Sequence, residues 1–183
     1  MRAVVSFGGL VEFSPGFAPR PKVSHVLFDF DGTLSLIRQG WPEVMLPMFV
    51  ELLPALAGET EAGRRELLDD DIMRLNGKQT VYQMIQLAER IRERGGQPKD
   101  PLWYKKEYLR RLDERIHGRL EGLRQGTLAP DTLLVYGARP VLEWLRRRGL
   151  ALYLASGTDE VFVKQEAELL DLGRYFGRHI YGA

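Results

Sequence analysis

Two carboxylates, Asp29 and Asp31, stand two residues apart in the string Val26-Leu27-Phe28-Asp29-Phe30-Asp31-Gly32-Thr33-Leu34-Ser35. In extended chain a spacing of two puts both side chains on one face. Gly32 lets the backbone turn sharply straight afterwards, and Thr33 adds a hydroxyl. Such a pair suits metal-assisted phosphoryl transfer. One carboxylate attacks phosphorus and forms an aspartyl-phosphate. The other protonates the leaving oxygen and later deprotonates the attacking water. Side by side they also attract a hard, oxygen-loving cation such as Mg²⁺. The plain alternative is a strand ending in a turn whose acids face water; a lone D-x-D favours that reading, whereas the full string after an apolar run is far more specific.

A second constellation, Ser156-Gly157-Thr158-Asp159, follows the apolar run Leu150 to Ala155 and opens a helix. The Ser156 hydroxyl and the free amides of Gly157 and Thr158 can hold phosphoryl oxygens at a helix N-terminus. Taken alone it is equally an ordinary helix cap, for which Ser, Thr and Asp are preferred. Asn76-Gly77-Lys78-Gln79-Thr80, between two helical patterns, offers Lys78 as a contact for an anionic substrate; a solvated lysine in a cap-to-cap turn is at least as good a reading. Asp69-Asp70-Asp71 diverge around a helix and read as a solvated face. His25, His117 and His179 are isolated, and no role is assigned to them.

The elements that must position these groups have α/β character at both ends and helical character between. Val26-Leu27-Phe28 and Leu150 to Ala155 have the length and composition of buried strands. His179-Ile180-Tyr181 reads as a third, short strand. Helical patterns cover Trp41 to Leu56, Glu59 to Leu75, Thr80 to Arg94 and Pro101 to Leu123, with Asn76-Gly77 and Gly95-Gly96 as stops. Two more helices follow, one closing at Arg146-Arg147-Arg148-Gly149 and one over Val161 to Leu172. The three arginines suit a helix C-terminus and point in different directions, which disfavours a nucleic-acid patch. Ala3 to Phe7 is a short strand candidate, and Gly8 to Pro21, rich in Gly and Pro, reads as a loop or tether.

Composition narrows the class. The 183 residues are 44% hydrophobic and 28% charged, and 26 basic against 25 acidic residues leave a net charge of +1. Nothing here calls for nucleic acid or an acidic membrane surface. The absence of Cys excludes disulfides, thiolate metal sites and cysteine nucleophiles, and fits a cytoplasmic location. No apolar run reaches the roughly 18 residues of a membrane span, and no signal peptide is read.

Asp29-Phe30-Asp31-Gly32-Thr33-Leu34 resembles the first signature motif of the haloacid dehalogenase (HAD) superfamily, and Leu152-Tyr153-Leu154-Ala155-Ser156 resembles its second. Four helices after the first strand look like the helical cap of the phosphoglycolate-phosphatase-like branch. The resemblance implies a Rossmann-like parallel-sheet α/β core with an inserted all-helical cap domain. It divides the chain into an N-terminal strand and loop segment (1–22), a core (23–38 and 128–183) and a cap (39–127). It implies Mg²⁺-dependent hydrolysis of a small phosphate monoester, with Asp29 as nucleophile, Asp31 as general acid/base and both as metal ligands. Ser156, Gly157 and Thr33 would bind phosphate and Lys78 would contribute to specificity. Dehalogenase members lack the second Asp, so Asp31 argues for phosphate esters over carbon–halogen bonds.

The family's third motif, a Lys, and its fourth, an acidic pair, are not found; Lys164 comes too early and falls in a helix. The chain therefore reads as an N-terminal portion of a longer hydrolase, with its first strand bare at the sheet edge and open to self-association. A phosphosugar mutase on the same fold, or a non-catalytic portion that binds a phosphorylated ligand or partner, are the alternatives.

Overall fold

The structure, a computed structural model, describes residues 6–7, 11–12, 16–18 and 22–183. Strands β1 (Ser6–Phe7) and β2 (Val11–Glu12) pair antiparallel. β2 thus falls in the stretch read as loop, and Ala3 to Val5 lie outside the described residues.

The main sheet has three parallel strands in the order β3 (His25–Phe28), β4 (Ala151–Ala155) and β5 (Ile180–Tyr181). Leu27 sits opposite Tyr153, and Leu154 opposite Ile180. Between β3 and β4 the chain makes five α-helices: α1 (Pro42–Leu52), α2 (Glu61–Arg74), α3 (Thr80–Glu93), α4 (Pro101–Arg124) and, after a 3₁₀ turn (Pro130–Leu133), α5 (Ala138–Arg147). Between β4 and β5 come α6 (Glu160–Leu169) and the single turn α7 (Gly173–Phe176).

The boundaries have local causes. The apolar run through Leu56 does not stay helical, because Leu53 precedes Pro54 and is forced to extended geometry (ψ 119°). Thr60 caps α2 by accepting from the Gly63 amide at 3.1 Å, and Asp100 caps α4 by accepting from Leu102 at 2.7 Å. The pattern over Val161 to Leu172 splits at Asp171, which takes φ 54°.

Helix α1 packs on α2 and α4, and α3 lies along α4; their shared core includes Met45, Phe49, Leu68, Ile72, Met84, Leu87 and Leu112. The sheet buries one face: Leu152, Leu154 and Ile180 point inward, and Phe28 meets Phe176 edge-on at 6.1 Å. The other face carries His25, Leu27, Tyr153, His179 and Tyr181. This corrects the reading of β3 as a buried strand, since Leu27 is 67% exposed. Among the described residues β3 pairs only with β4, so it is an edge, and the apolar run covers one face instead of two. His25 and His179 flank the Tyr153 ring at 5.8 and 4.5 Å.

Two charged stretches find partners within the fold. Asp71 is not solvated: it is 4% exposed and accepts from Arg90 Nε and Arg74 Nη2, both at 2.7 Å. Arg146 lies over Tyr175, Arg147 pairs with Glu143, and Arg148 stacks on Trp144, so the three arginines do diverge.

Candidate active site

Strand β3 stops at Phe28, and the chain then folds into a tight turn anchored by Phe30, which is fully buried. The Phe30 carbonyl accepts from the amides of Leu34 and Ser35, each at 2.9 Å, and the Gly32 amide donates back to Ser35 O at 2.9 Å. Gly32 takes φ 76°, open to glycine and strained for other residues. With Phe30 turned inward, Asp29 and Asp31 face the other way, and both line a cavity of about 90 Å³.

The second constellation meets the first here. Ser156 Oγ and Thr158 Oγ1 both donate to Asp31 Oδ2, at 3.2 and 2.9 Å. The Thr158 amide donates to Ser156 Oγ at 3.0 Å. Ser156, Gly157 and Thr158 all line the cavity, while Thr33 does not; its hydroxyl donates to Asp29 Oδ2 at 3.0 Å and steadies that carboxylate. Burial holds the Asp31 carboxyl above the usual carboxylate range. Arg38 and the Thr158 and Ser156 hydroxyls pull it down, and nearby Asp29 pushes it up again. Its Oδ1 is buried and has no hydrogen-bond partner among the described residues.

Several wall residues were not singled out from the sequence. Arg38, 7% exposed, donates through Nε and Nη2 to Glu166, at distances down to 2.6 Å, and its Nε lies 4.0 Å from Asp31 Oδ1. Glu166 is itself only 3% exposed. A signal existed: Glu166 shares the buried face of α6 with Val163 and Ala167, and a charge on an apolar stripe needs a partner. Tyr108 of α4, whose hydroxyl burial pushes well up, also lines the cavity, with Trp41 and Met45. Its place in an apolar helical pattern gave no hint of a site role.

The helical layer closes the cavity from the side opposite the sheet. Asn76, Gly77, Lys78 and Thr80 of the α2–α3 connection line it, with Lys78 itself exposed. A Cβ on Gly157 would lie 2.6 Å from the Lys78 carbonyl oxygen, so glycine is what lets the two backbones meet. Lys105 of α4 pairs with Asp159, the residue that precedes α6. Lys164 pairs with Glu160 along the surface of α6, away from the cavity.

Residues 23–183 match the family model for haloacid dehalogenase-like hydrolases. The chain belongs to this family. No curated protein matches it. Among solved structures, it is similar to a protein described as a predicted phosphoglycolate phosphatase from Haemophilus somnus 129PT. That match has 16% identity and a TM-score of 0.50 over 87% of this chain and 61% of that one. A HAD family hydrolase from Deinococcus radiodurans R1, with bound phosphate and sodium, matches at 19% identity and a TM-score of 0.43. It covers 87% of this chain and 58% of the other. The chain thus spans about three-fifths of the length of both structures, and the likeness to the first supports the α/β fold.

For a HAD-like chain the implied cation is Mg²⁺, and the donor set can be tested against it. Mg²⁺ takes one or two carboxylates and completes its shell with water and phosphate oxygens. Asp29 and Asp31 supply two, and the unpartnered Asp31 Oδ1 is a buried acceptor of the kind a cation satisfies. Among the described residues no group of three or more His or acidic side chains forms a complete protein cage. The residues present fit a water-rich Mg²⁺ site.

Proposed function

We propose that the chain carries the phosphoryl-transfer centre of a Mg²⁺-dependent phosphatase that hydrolyses a small phosphate monoester. The observation that carries this reading is the convergence of Asp29, Asp31, Ser156, Gly157 and Thr158 on one cavity of about 90 Å³.

Asp29, oriented by Thr33, attacks phosphorus and forms the aspartyl-phosphate while the bond to the leaving oxygen breaks. Asp31 gives its proton to that oxygen, then takes one from water as the water attacks phosphorus and the bond to Asp29 breaks. Asp29 and Asp31 would hold Mg²⁺, which supplies compensation for the negative charge on the phosphoryl oxygens. The Gly157 amide is available to the same oxygens. The Ser156 hydroxyl must turn from Asp31 to reach them.

In this reading residues 39–127 act as a cap over a core of 23–38 and 128–183, and Lys78 meets the substrate beyond the phosphoryl group. The absence of cysteine supports a cytoplasmic setting, and no helix among the described residues is long and apolar enough to cross a membrane. The test is phosphate release by the 183-residue chain from a panel of small phosphoesters, with and without Mg²⁺. Release that needs both Mg²⁺ and Asp29, lost in Asp29→Asn by about three orders of magnitude or more, is the expected result. Release that survives Asp29→Asn would remove the aspartyl-phosphate from the mechanism.

A further inference from the structure

Resting on the reading of this cavity as a phosphoryl-transfer centre, we propose that Arg38 grips the phosphoryl oxygens directly, and that Glu166 is the positioning residue that aims its guanidinium. A phosphoryl group entering between Asp29 and Asp31 brings negative charge to two carboxylates. It needs a cation in the wall besides any metal ion. Of the three lysines near this region, Lys164 and Lys105 are paired with Glu160 and Asp159, and Lys78 is exposed at the rim. Arg38 is the buried cation that lines the cavity.

Its geometry suits the task. Glu166 takes Nε and Nη2, with contacts of 3.0, 3.2 and 2.6 Å, and leaves Nη1 with no hydrogen-bond partner among the described residues. A guanidinium held by one edge presents its remaining donors in a fixed direction, an arrangement suited to phosphate oxygens. The same hold keeps Arg38 off Asp31: the 4.0 Å between Nε and Oδ1 is an ion-pair distance, too long for a hydrogen bond. Phe162, one helical turn before Glu166 on α6, lies under the guanidinium, with the ring centroid 5.6 Å from the guanidinium carbon. One helix face therefore supplies both the hold and the floor. Arg38 lines the same cavity as Asp29 and Asp31.

The test is calorimetric titration of the 183-residue chain with inorganic phosphate at fixed Mg²⁺, alongside circular-dichroism melts. Removing Arg38 alone strands a buried carboxylate and risks unfolding. The informative variant therefore replaces both partners, Arg38→Met with Glu166→Leu. Expected are binding in the native chain and a folded double variant weaker by about tenfold or more. Arg38→Lys should fall between them. Glu166→Gln separates aiming from bulk charge: losing a negative charge should tighten phosphate binding if only net charge matters, and weaken it if Glu166 aims Arg38. A folded double variant that binds as the native chain does, while Ser156→Ala weakens binding, overturns the role of Arg38 and leaves the phosphoryl site standing. Unchanged or tighter binding in Glu166→Gln overturns the positioning role. A native chain that binds no phosphate overturns the underlying reading and this inference with it.

Discussion

Replacing Gly157 by alanine tests how closely the α2–α3 connection must sit on the Ser156 turn. The added Cβ would lie 2.6 Å from the Lys78 carbonyl oxygen, 3.1 Å from its carbon and 3.5 Å from Gln79 Cα. All three neighbours are backbone atoms, so no side-chain rotation relieves the clash, and the two segments must part by the better part of an ångström. Overpacking of this kind costs about 1–3 kcal/mol. Gly157 is not among the positive-φ glycines, so alanine is acceptable there apart from the clash. The cost should therefore fall on closure of the helical layer and leave folding of the sheet intact. Expressed in turnover it is about 5- to 150-fold. The assay is paired: phosphate release, and hydrogen exchange at the Lys78 and Tyr82 amides, which donate to Leu75 O and Gln79 O at 3.1 and 3.0 Å. Expected are faster exchange in that connection, slower release and a melting temperature close to native. Native exchange and native turnover in a folded Gly157→Ala chain would refute the view that this contact closes the site.

Asp71→Ala removes the shared acceptor of Arg90 and Arg74; it should cost about 3 kcal/mol in urea melts, the low end for a broken buried pair because both arginines reach solvent, and leave phosphate binding unchanged. Asp31→Asn should stabilise the fold at neutral pH while abolishing turnover. The folded Asp31 carboxyl lies above the usual value, so its ionisation destabilises the native state as pH rises past 3.8, and asparagine never ionises. Melts of both proteins across pH should therefore converge in acid and diverge toward neutrality; a constant difference would assign the effect to packing. Leu27→Lys on the exposed edge strand should lower self-association in light scattering without lowering stability. Equal association in both proteins would locate the contact elsewhere.

The parts of the fold that were legible in the sequence are those fixed by neighbours along the chain. Asp29-Phe30-Asp31-Gly32 encodes its turn locally: Phe30 needs the core, the acids alternate against it, and Gly32 supplies the positive φ. Ser156 and Thr158 could be named as a helix-capping, oxyanion-holding group. That they bond Asp31 depends on β3 and β4 pairing in register, which no local pattern states. Burial was the weakest inference. Val26-Leu27-Phe28 is apolar throughout and gives no sign of which face stays open, and Asp71 carries no mark distinguishing it from its exposed neighbour Asp70. Arg38, Glu166 and Tyr108 were missed because each comes from a different element and gains its meaning where the three meet.

Those three residues, with Lys105 and Asp159, lie on the seam between the α1–α4 layer and the sheet. Arg38 and Glu166 tie the segment before α1 to α6; Lys105 and Asp159 tie α4 to the start of α6. Helix α6 is thus held by charge at its start, through Asp159, and about two turns further on, through Glu166. The electrostatics of the site depend on that closure. The Asp31 carboxyl is raised chiefly by burial, and Tyr108 of α4 is part of the wall that buries it. Drawing α4 away would admit water, weaken every charge interaction in the cavity and return Asp31 toward an ordinary acid. The burial that raises the Asp31 carboxyl therefore depends in part on the contact of helix α4 with helix α6.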